Sequence, residues 1–290
     1  MSERYDGCPS ALPKGSPTTA SRSSLDLPAV VATLRAAGCV FAEEEAQLLL
    51  AEAQTPESLA GMVEERVDGL PLEHILGWAQ FCGLRIAVDP GVFVPRRRTE
   101  FLVDQAAEHA RPILAARAAV VLDLCCGSGA LGLALVAVLG SSPARVELHC
   151  ADVDPAATRC AVRNVAPVGG QVYQGDLFEP LPTALRGRVD VVLANVPYVP
   201  TDEVELMPPE ARLHEARPAL DGGTDGLDVL RRVCAGALRW LAPGGLLLFE
   251  TSERQVQQAL AAIAGGGLAP AVARSEELYA TVVTGTMPTR

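Results

Sequence analysis

The chain has 290 residues, 49% of them hydrophobic and 20% charged, which allows a full α/β domain with a buried core plus one small extra module. A formal net charge of -11 argues against a dedicated DNA or RNA binder, whose phosphate-facing surface needs basic residues, although an acidic enzyme can still dock on a basic protein. The eight cysteines form no Cys-x-x-Cys pair and the four histidines are scattered, so no metal site is expected and the pattern reads as a reduced, cytoplasmic protein. No apolar stretch approaches the length of a membrane span, and the first residues lack a signal-peptide core.

Residues 1–24 are rich in Ser, Pro, Thr and Gly and predict a disordered tail. Asp26 can then cap a helix carrying Val30, Val31 and Leu34, with Gly38 at its end. A second helix is expected over about 43–53, with Ala46, Leu49 and Leu50 on one face. Thr55-Pro56 opens a third, whose Leu59, Met62, Val63 and Val67 recur at helical spacing. These helices make a small module at 25–72. In 73–98, a linker, the apolar residues Phe81, Leu84, Ile86, Val88 and Val92 to Val94 predict a β-hairpin turning at Asp89-Pro90-Gly91.

A helix over about 99–114 leads into the main domain, 99–290. Strands are expected at 120–124, 146–151, 171–174, 189–194 and 246–250, with a last pair around 271–274 and 280–285. Strands alternating with helices imply an α/β fold, a doubly wound and mostly parallel Rossmann-like sheet. Such sheets bind ligands at the carboxyl ends of their strands.

The first motif is there. A buried strand runs through Asp123 into Cys125-Cys126-Gly127-Ser128-Gly129, and Gly127 and Gly129 let backbone approach a ligand. Gly127 to Gly132 also fits the dinucleotide fingerprint, with Asp152 at a suitable distance downstream. Asp123 decides against it, because a carboxylate before the glycines repels a pyrophosphate but suits a cationic amino-acid head group. S-adenosylmethionine has that head group and a sulfonium as well. Asp152, followed by Val153, can accept from both ribose hydroxyls. Asp154 is the weaker candidate and can instead cap the helix at Pro155. Asp176 can accept from the adenine amino group, with Leu177 or Phe178 packed on the ring.

The second motif, Asn195-Val196-Pro197-Tyr198, follows the fourth strand. An amide nitrogen is a poor nucleophile with two N–H groups to hold. The Asn195 side-chain oxygen can accept one and the Val196 carbonyl the other, aiming the nitrogen at a methyl donor. Tyr198 can wall the planar group, and Pro197 stiffens the loop. The sequence resembles the Asn-Pro-Pro-Tyr signature of methyltransferases acting on planar nitrogens, with Val196 in place of the first proline. The carbonyl survives that change, and Pro197 still biases Val196 towards extended geometry.

Across about 25–286 the layout resembles the HemK/PrmC family of protein-glutamine methyltransferases. Pro71-Leu72-Glu73-His74-Ile75-Leu76-Gly77, then Phe81, and Val94-Pro95-Arg96-Arg97-Arg98-Thr99-Glu100 look like its linker signature, with Arg98 replacing an acidic residue. Glu215, with Ala216 in place of a proline, and Asp221 to Leu227 also match, as does Glu250 at the end of the fifth strand. The resemblance implies that Phe93, Pro95, Arg96 and Glu100 lie beside the cleft, that the cofactor is S-adenosyl-L-methionine and that the partner is a protein bearing an exposed glutamine, as in translation release factors. An N6-adenine nucleic-acid methyltransferase is the competing enzyme class; it normally carries a basic recognition region, whereas the module at 25–72 is acidic. A non-catalytic binding module is the third reading, against which both motifs stand intact.

Overall fold

In the computed structural model, residues 26–140 and 145–289 are described, so the expected tail at 1–24 lies outside them. The chain divides into two compact units at Gly61/Met62, inside the helix Pro56–Val67. In the first unit, helices Leu27–Ala36 and Ala42–Glu52 pack together, burying Val30 and Leu34 on one and Ala42, Ala46 and Leu49 on the other. Asp26 caps the first by accepting from the Ala29 N–H at 3.0 Å, and Thr55 caps Pro56–Val67 by accepting from the Ser58 N–H at 3.1 Å.

The second unit begins its sheet structure with a hairpin of β1 (Trp78–Phe81) and β2 (Leu84–Ala87). The turn is Cys82-Gly83, both with positive φ (47° and 75°), the two-residue geometry whose twist suits a hairpin. This corrects the expectation that Asp89-Pro90-Gly91 turns the hairpin. That segment does turn, with the Val92 N–H bonded to the Asp89 carbonyl at 3.0 Å and Gly91 at φ 82°, but the chain beyond it does not pair back onto β2. Instead residues 91–96 form an extended strap, joined through Gly91 to Glu215 by an isolated bridge.

After the helix Glu100–Ala116 come β3 (Ala119–Leu124), β4 (Val146–Asp152), β5 (Gln171–Gln174), β6 (Val189–Ala194), β7 (Leu241–Glu250), β8 (Ala269–Ser275) and β9 (Ala280–Thr286). They form one sheet in the order β5-β4-β3-β6-β7-β9-β8, parallel as far as β7 and antiparallel at β9 and β8. The two central strands, β3 and β6, are buried at every position, which is why each is apolar but for a single aspartate. β7 starts five residues before its expected beginning, because Leu241 pairs with Val189 ahead of a register shift. Helix Glu100–Ala116 buries one face, with Leu102, Val103, Ala106, Ala107, Ala110 and Leu114, whereas Ala130–Val138 is buried nearly all round.

One buried charge sits at the bottom of β6. Asp190, 2% exposed in its side chain, takes a two-pronged bond from Arg117 at 2.6 and 2.7 Å and also accepts from the Val120 N–H at 2.9 Å. Asp190→Ala should cost about 2 kcal/mol of unfolding free energy, because it leaves a buried N–H without its acceptor. Denaturant titration measures this, and a loss under about 0.5 kcal/mol, the size expected of an unremarkable surface substitution, would show the pair to be dispensable.

The reversal of strand order between β3–β4–β5 on one side and β6–β7 on the other falls at the carboxyl ends of β3 and β6. That is the switch point at which doubly wound sheets open a crevice.

Candidate active site

A cavity of about 880 Å³ opens at that point. Its floor comes from the loops after β3, β4, β5 and β6, and its walls from the strap and the segments 207–221 and 229–232. The volume lies within the range of small-molecule sites, which extends to about 1,000 Å³.

The loop after β3 turns sharply beneath the cavity. Cys125 and Gly127 are both left-handed, at φ 55° and 53°, and the Cys126 N–H reaches the Ala151 carbonyl at 3.1 Å. A β-carbon placed on Gly127 meets nothing nearer than Phe93 Cβ at 4.0 Å, so open space lies above this loop. Burial pushes the Cys125 thiol well above the usual range, and the charges of Asp152 and Asp123 add to the effect. Asp152 ends β4 and lines the cavity with Val153. Its two oxygens accept from the Gly127 N–H at 2.8 Å and the Asp154 N–H at 2.9 Å, so the carboxylate holds the glycine loop while retaining lone pairs for a ligand. Burial raises its pKa, while the backbone donors oppose that shift. Asp154 caps the helix Pro155–Val165 through the Ala156 N–H, as expected of it.

Asp176 and Leu177 also line the cavity, with Leu177 left-handed at φ 49°. Asp176 is not isolated there. Arg232, from the helix Asp228–Ala237, pairs with it at 2.5 Å and lines the same wall. Sequence reasoning missed Arg232, because nothing marks one arginine of the Arg231-Arg232 pair as inward-facing.

Past β6, Asn195, Val196, Pro197 and Tyr198 all reach the cavity. The Asn195 Oδ1 is a buried acceptor with no hydrogen-bond partner among the described residues. The Val196 carbonyl accepts no backbone N–H from them either. The loop carrying these acceptors is held from behind. The Val199 N–H donates to the Leu220 carbonyl at 3.1 Å, the Gly222 N–H donates to the Val199 carbonyl at 2.8 Å, and Gln255 Nε2 donates to the carbonyls of Tyr198 and Asp225, both at 2.9 Å. Gln255 is a second residue missed from sequence.

The strap brings Phe93, Pro95 and Arg96 to the cavity, and Glu215 fastens it there. Glu215 Oε1 accepts from the Val94 N–H at 3.2 Å and from Arg96 Nη2 at 2.5 Å, and burial raises the Glu215 pKa. His74 donates from Nε2 to the Val92 carbonyl at 2.9 Å, which accounts for a histidine in the linker motif.

Three expected site residues lie elsewhere. Glu100 does not line the cavity and accepts from the Cys82 N–H at 2.8 Å, capping the hairpin turn. Gly129 is needed for its left-handed φ of 75° and for close packing, since a β-carbon there would come within 2.9 Å of Val165 Cγ1. Asp123 lies beneath the loop, 1% exposed, with Oδ2 accepting from the Gly132 N–H at 2.8 Å. It does not line the cavity, so its direct role is to tie β3 to the first turn of the helix Ala130–Val138.

Burial pushes the pKa of Asp123 up to about 8, opposed by the Gly132 N–H and helped by the charge of Asp152. A carboxyl whose folded pKa is raised favours folding most when protonated. Its contribution is full below the unfolded value and is lost as pH rises through the folded one. Asp123→Asn should therefore gain stability relative to the native protein between about pH 4 and 8. Paired melting curves across that interval check the sign; a difference that is flat with pH would mean Asp123 stays ionised.

The sequence profile of the Methyltransferase small domain family matches residues 83–229, half of the chain. A release factor glutamine methyltransferase of Geobacter sulfurreducens is 39% identical over 210 residues, covering 71% of this chain and 70% of its own. One from Mycolicibacterium smegmatis is 37% identical over 250 residues, covering 79% and 85%. Among solved structures, a methyltransferase from Pyrococcus furiosus matches with a TM-score of 0.49 at 15% identity, over 71% of this chain and 90% of that one, a remote likeness the assignment does not need. With two thirds or more of its length aligned to such relatives, the chain belongs to the release factor glutamine methyltransferase family.

Proposed function

We propose that this protein transfers the methyl group of S-adenosylmethionine to the side-chain amide nitrogen of a glutamine in a peptide chain release factor. The observation that carries the reading is the orphaned Asn195 Oδ1 in the loop that lines the cavity. A buried acceptor left without a partner costs about 1–3 kcal/mol, and a ligand amide N–H removes that cost.

When bound, the cofactor supplies an electrophilic methyl group on a sulfonium. The open space above Gly127, the carboxylate of Asp152 at its strand end and the backbone of Cys125 fit it, with Val153, Asp176 and Leu177 towards the nucleoside. Asn195 Oδ1 and the Val196 carbonyl accept the two amide hydrogens of the glutamine. Both acceptors favour the positive charge that grows on nitrogen as its lone pair leaves conjugation. Pro197 keeps them in place, and Tyr198 walls the planar amide. Phe93, Pro95 and Arg96 form the opposite rim. The methylated nitrogen then sheds one of its two protons to solvent, giving a neutral secondary amide.

The acidic helices of 25–72 serve substrate recognition, and the linker 73–98 delivers the strap to the methyltransferase domain 99–290. A protein partner suits the net charge of -11 better than a nucleic acid does. A release factor substrate also sets the reaction in the cytoplasm; no helix among the described residues is long and apolar enough to cross a membrane. Incubation with radiolabelled cofactor and a purified release factor tests this. Label should appear on one glutamine of the protein; label on nucleic acid alone would favour an adenine methyltransferase instead.

A further inference from the structure

One polar cluster beside the acceptor loop draws on three distant parts of the chain: Arg98 just past the strap, Tyr198 of the loop and Glu250 at the end of β7. Arg98 Nε donates to Glu250 Oε1 at 2.8 Å, Arg98 Nη2 donates to the Tyr198 hydroxyl, and that hydroxyl donates to the same Glu250 oxygen at 2.8 Å. The Glu250 side chain is 4% exposed and its Oε2 has no partner among the described residues, so every hydrogen bond of this carboxylate runs through the triangle. Proton direction is uniquely set. A guanidinium offers no acceptor and a carboxylate no donor, so the phenol must accept from Arg98 and donate to Glu250. Burial and the Glu250 charge push the phenol far above its ordinary range, which keeps it neutral and able to donate.

The backbone of Tyr198 is secured separately by Gln255. The triangle therefore acts on the ring alone. We propose that Arg98 and Glu250 are positioning residues for methyl transfer, clamping the phenol so that the Tyr198 ring stands as a fixed wall beside Asn195. The inference rests on the function proposed above. Arg98 also lines the cavity with half its side chain exposed, so direct contact with the substrate is the rival role. The two roles differ in kinetics, because a wall acts on the reacting geometry and a docking contact acts on substrate affinity.

The test is a double-mutant cycle of Arg98→Met, Tyr198→Phe and both together, measured by steady-state kinetics on a release factor and by calorimetry for S-adenosylmethionine. Each single variant should lose about tenfold in kcat while the Kd for the cofactor stays within about twofold. The double variant should be no slower than the slower single one, since both remove the same clamp. Arg98→Lys, which keeps one donor to the triangle, should recover part of the loss. Multiplying losses in the double variant, or a raised KM for the release factor at unchanged kcat, would overturn the clamp. If the native protein transfers nothing to a release factor, the function fails instead. The cycle in unfolding free energy then still judges the clamp, with coupling expected and strict additivity against it.

Discussion

Asn195→Ala should lower methyl transfer to a release factor by about 10²- to 10³-fold, the range seen when a preorganised polar contact to developing charge is removed. The reason lies in what surrounds the residue. Its Oδ1 is buried without a partner, so nothing in the protein is satisfied by it, and truncation leaves no new orphan behind. Folding and cofactor affinity should therefore hold while turnover collapses. Asn195→Asp makes the complementary measurement: it keeps an acceptor but adds a charge, so it should retain more activity than alanine if acceptance of an N–H is the essential act. Single-turnover assays with calorimetric binding separate the effects. An alanine variant turning over at more than a third of the native rate would remove Asn195 from the reacting centre.

Gly222→Ala should also damage turnover, without touching the reactants. A β-carbon at Gly222 would lie 2.6 Å from the Pro197 carbonyl and 2.7 Å from that of Gly226, both backbone atoms that cannot swing aside. The chain must shift, and Pro197 is the stiff member of the acceptor loop. The Gly222 N–H also donates to Val199 at 2.8 Å, so the shift pulls on the bond that backs the loop. We expect at least about a tenfold fall in kcat/KM and about 1–3 kcal/mol of lost stability, the cost of an overpacked site. Gly265→Ala, where the added atom meets nothing within 4 Å, serves as the control for a β-carbon without a clash. Equal loss of activity in both variants would mean that displacement of Pro197 is not responsible.

Much of this arrangement was legible in the residues because local chemistry and global fold agree. Val120 to Leu124 and Val189 to Ala194 are apolar except for Asp123 and Asp190 because those strands are covered on both faces, and glycine and proline punctuate their ends. Asn195 to Tyr198 announces itself as a polar, proline-stiffened loop in the place where such sheets bind ligands. What stayed hidden depends on contacts the pattern does not encode. Asp123 looks like a ligand-facing carboxylate until the chain curls back and the Gly132 N–H claims it nine residues on. Glu100 belongs to the hairpin because Cys82-Gly83 turns it, and Asp89-Pro90-Gly91 is the stronger turn signal but sits one segment too late. Arg232 carries no motif, and Gln255 reads only as the last residue of a Ser252-x-x-Gln255 capping box. Each acquires its place only when a helix packs against a loop tens of residues away in the chain.

The order of the sheet has a consequence for how the protein is made. β9 lies between β7 and β8, so a strand synthesised later must insert beside one already present. Until residues 280–286 emerge, β7 presents an unpaired edge of Leu246, Leu247, Leu248 and Phe249, and open apolar edges invite association with other chains. Glu250, the anchor of the Tyr198 clamp, pairs with Val282 in that same late step. Loss of β9 would therefore both expose that edge and free the backbone of the residue that anchors Tyr198.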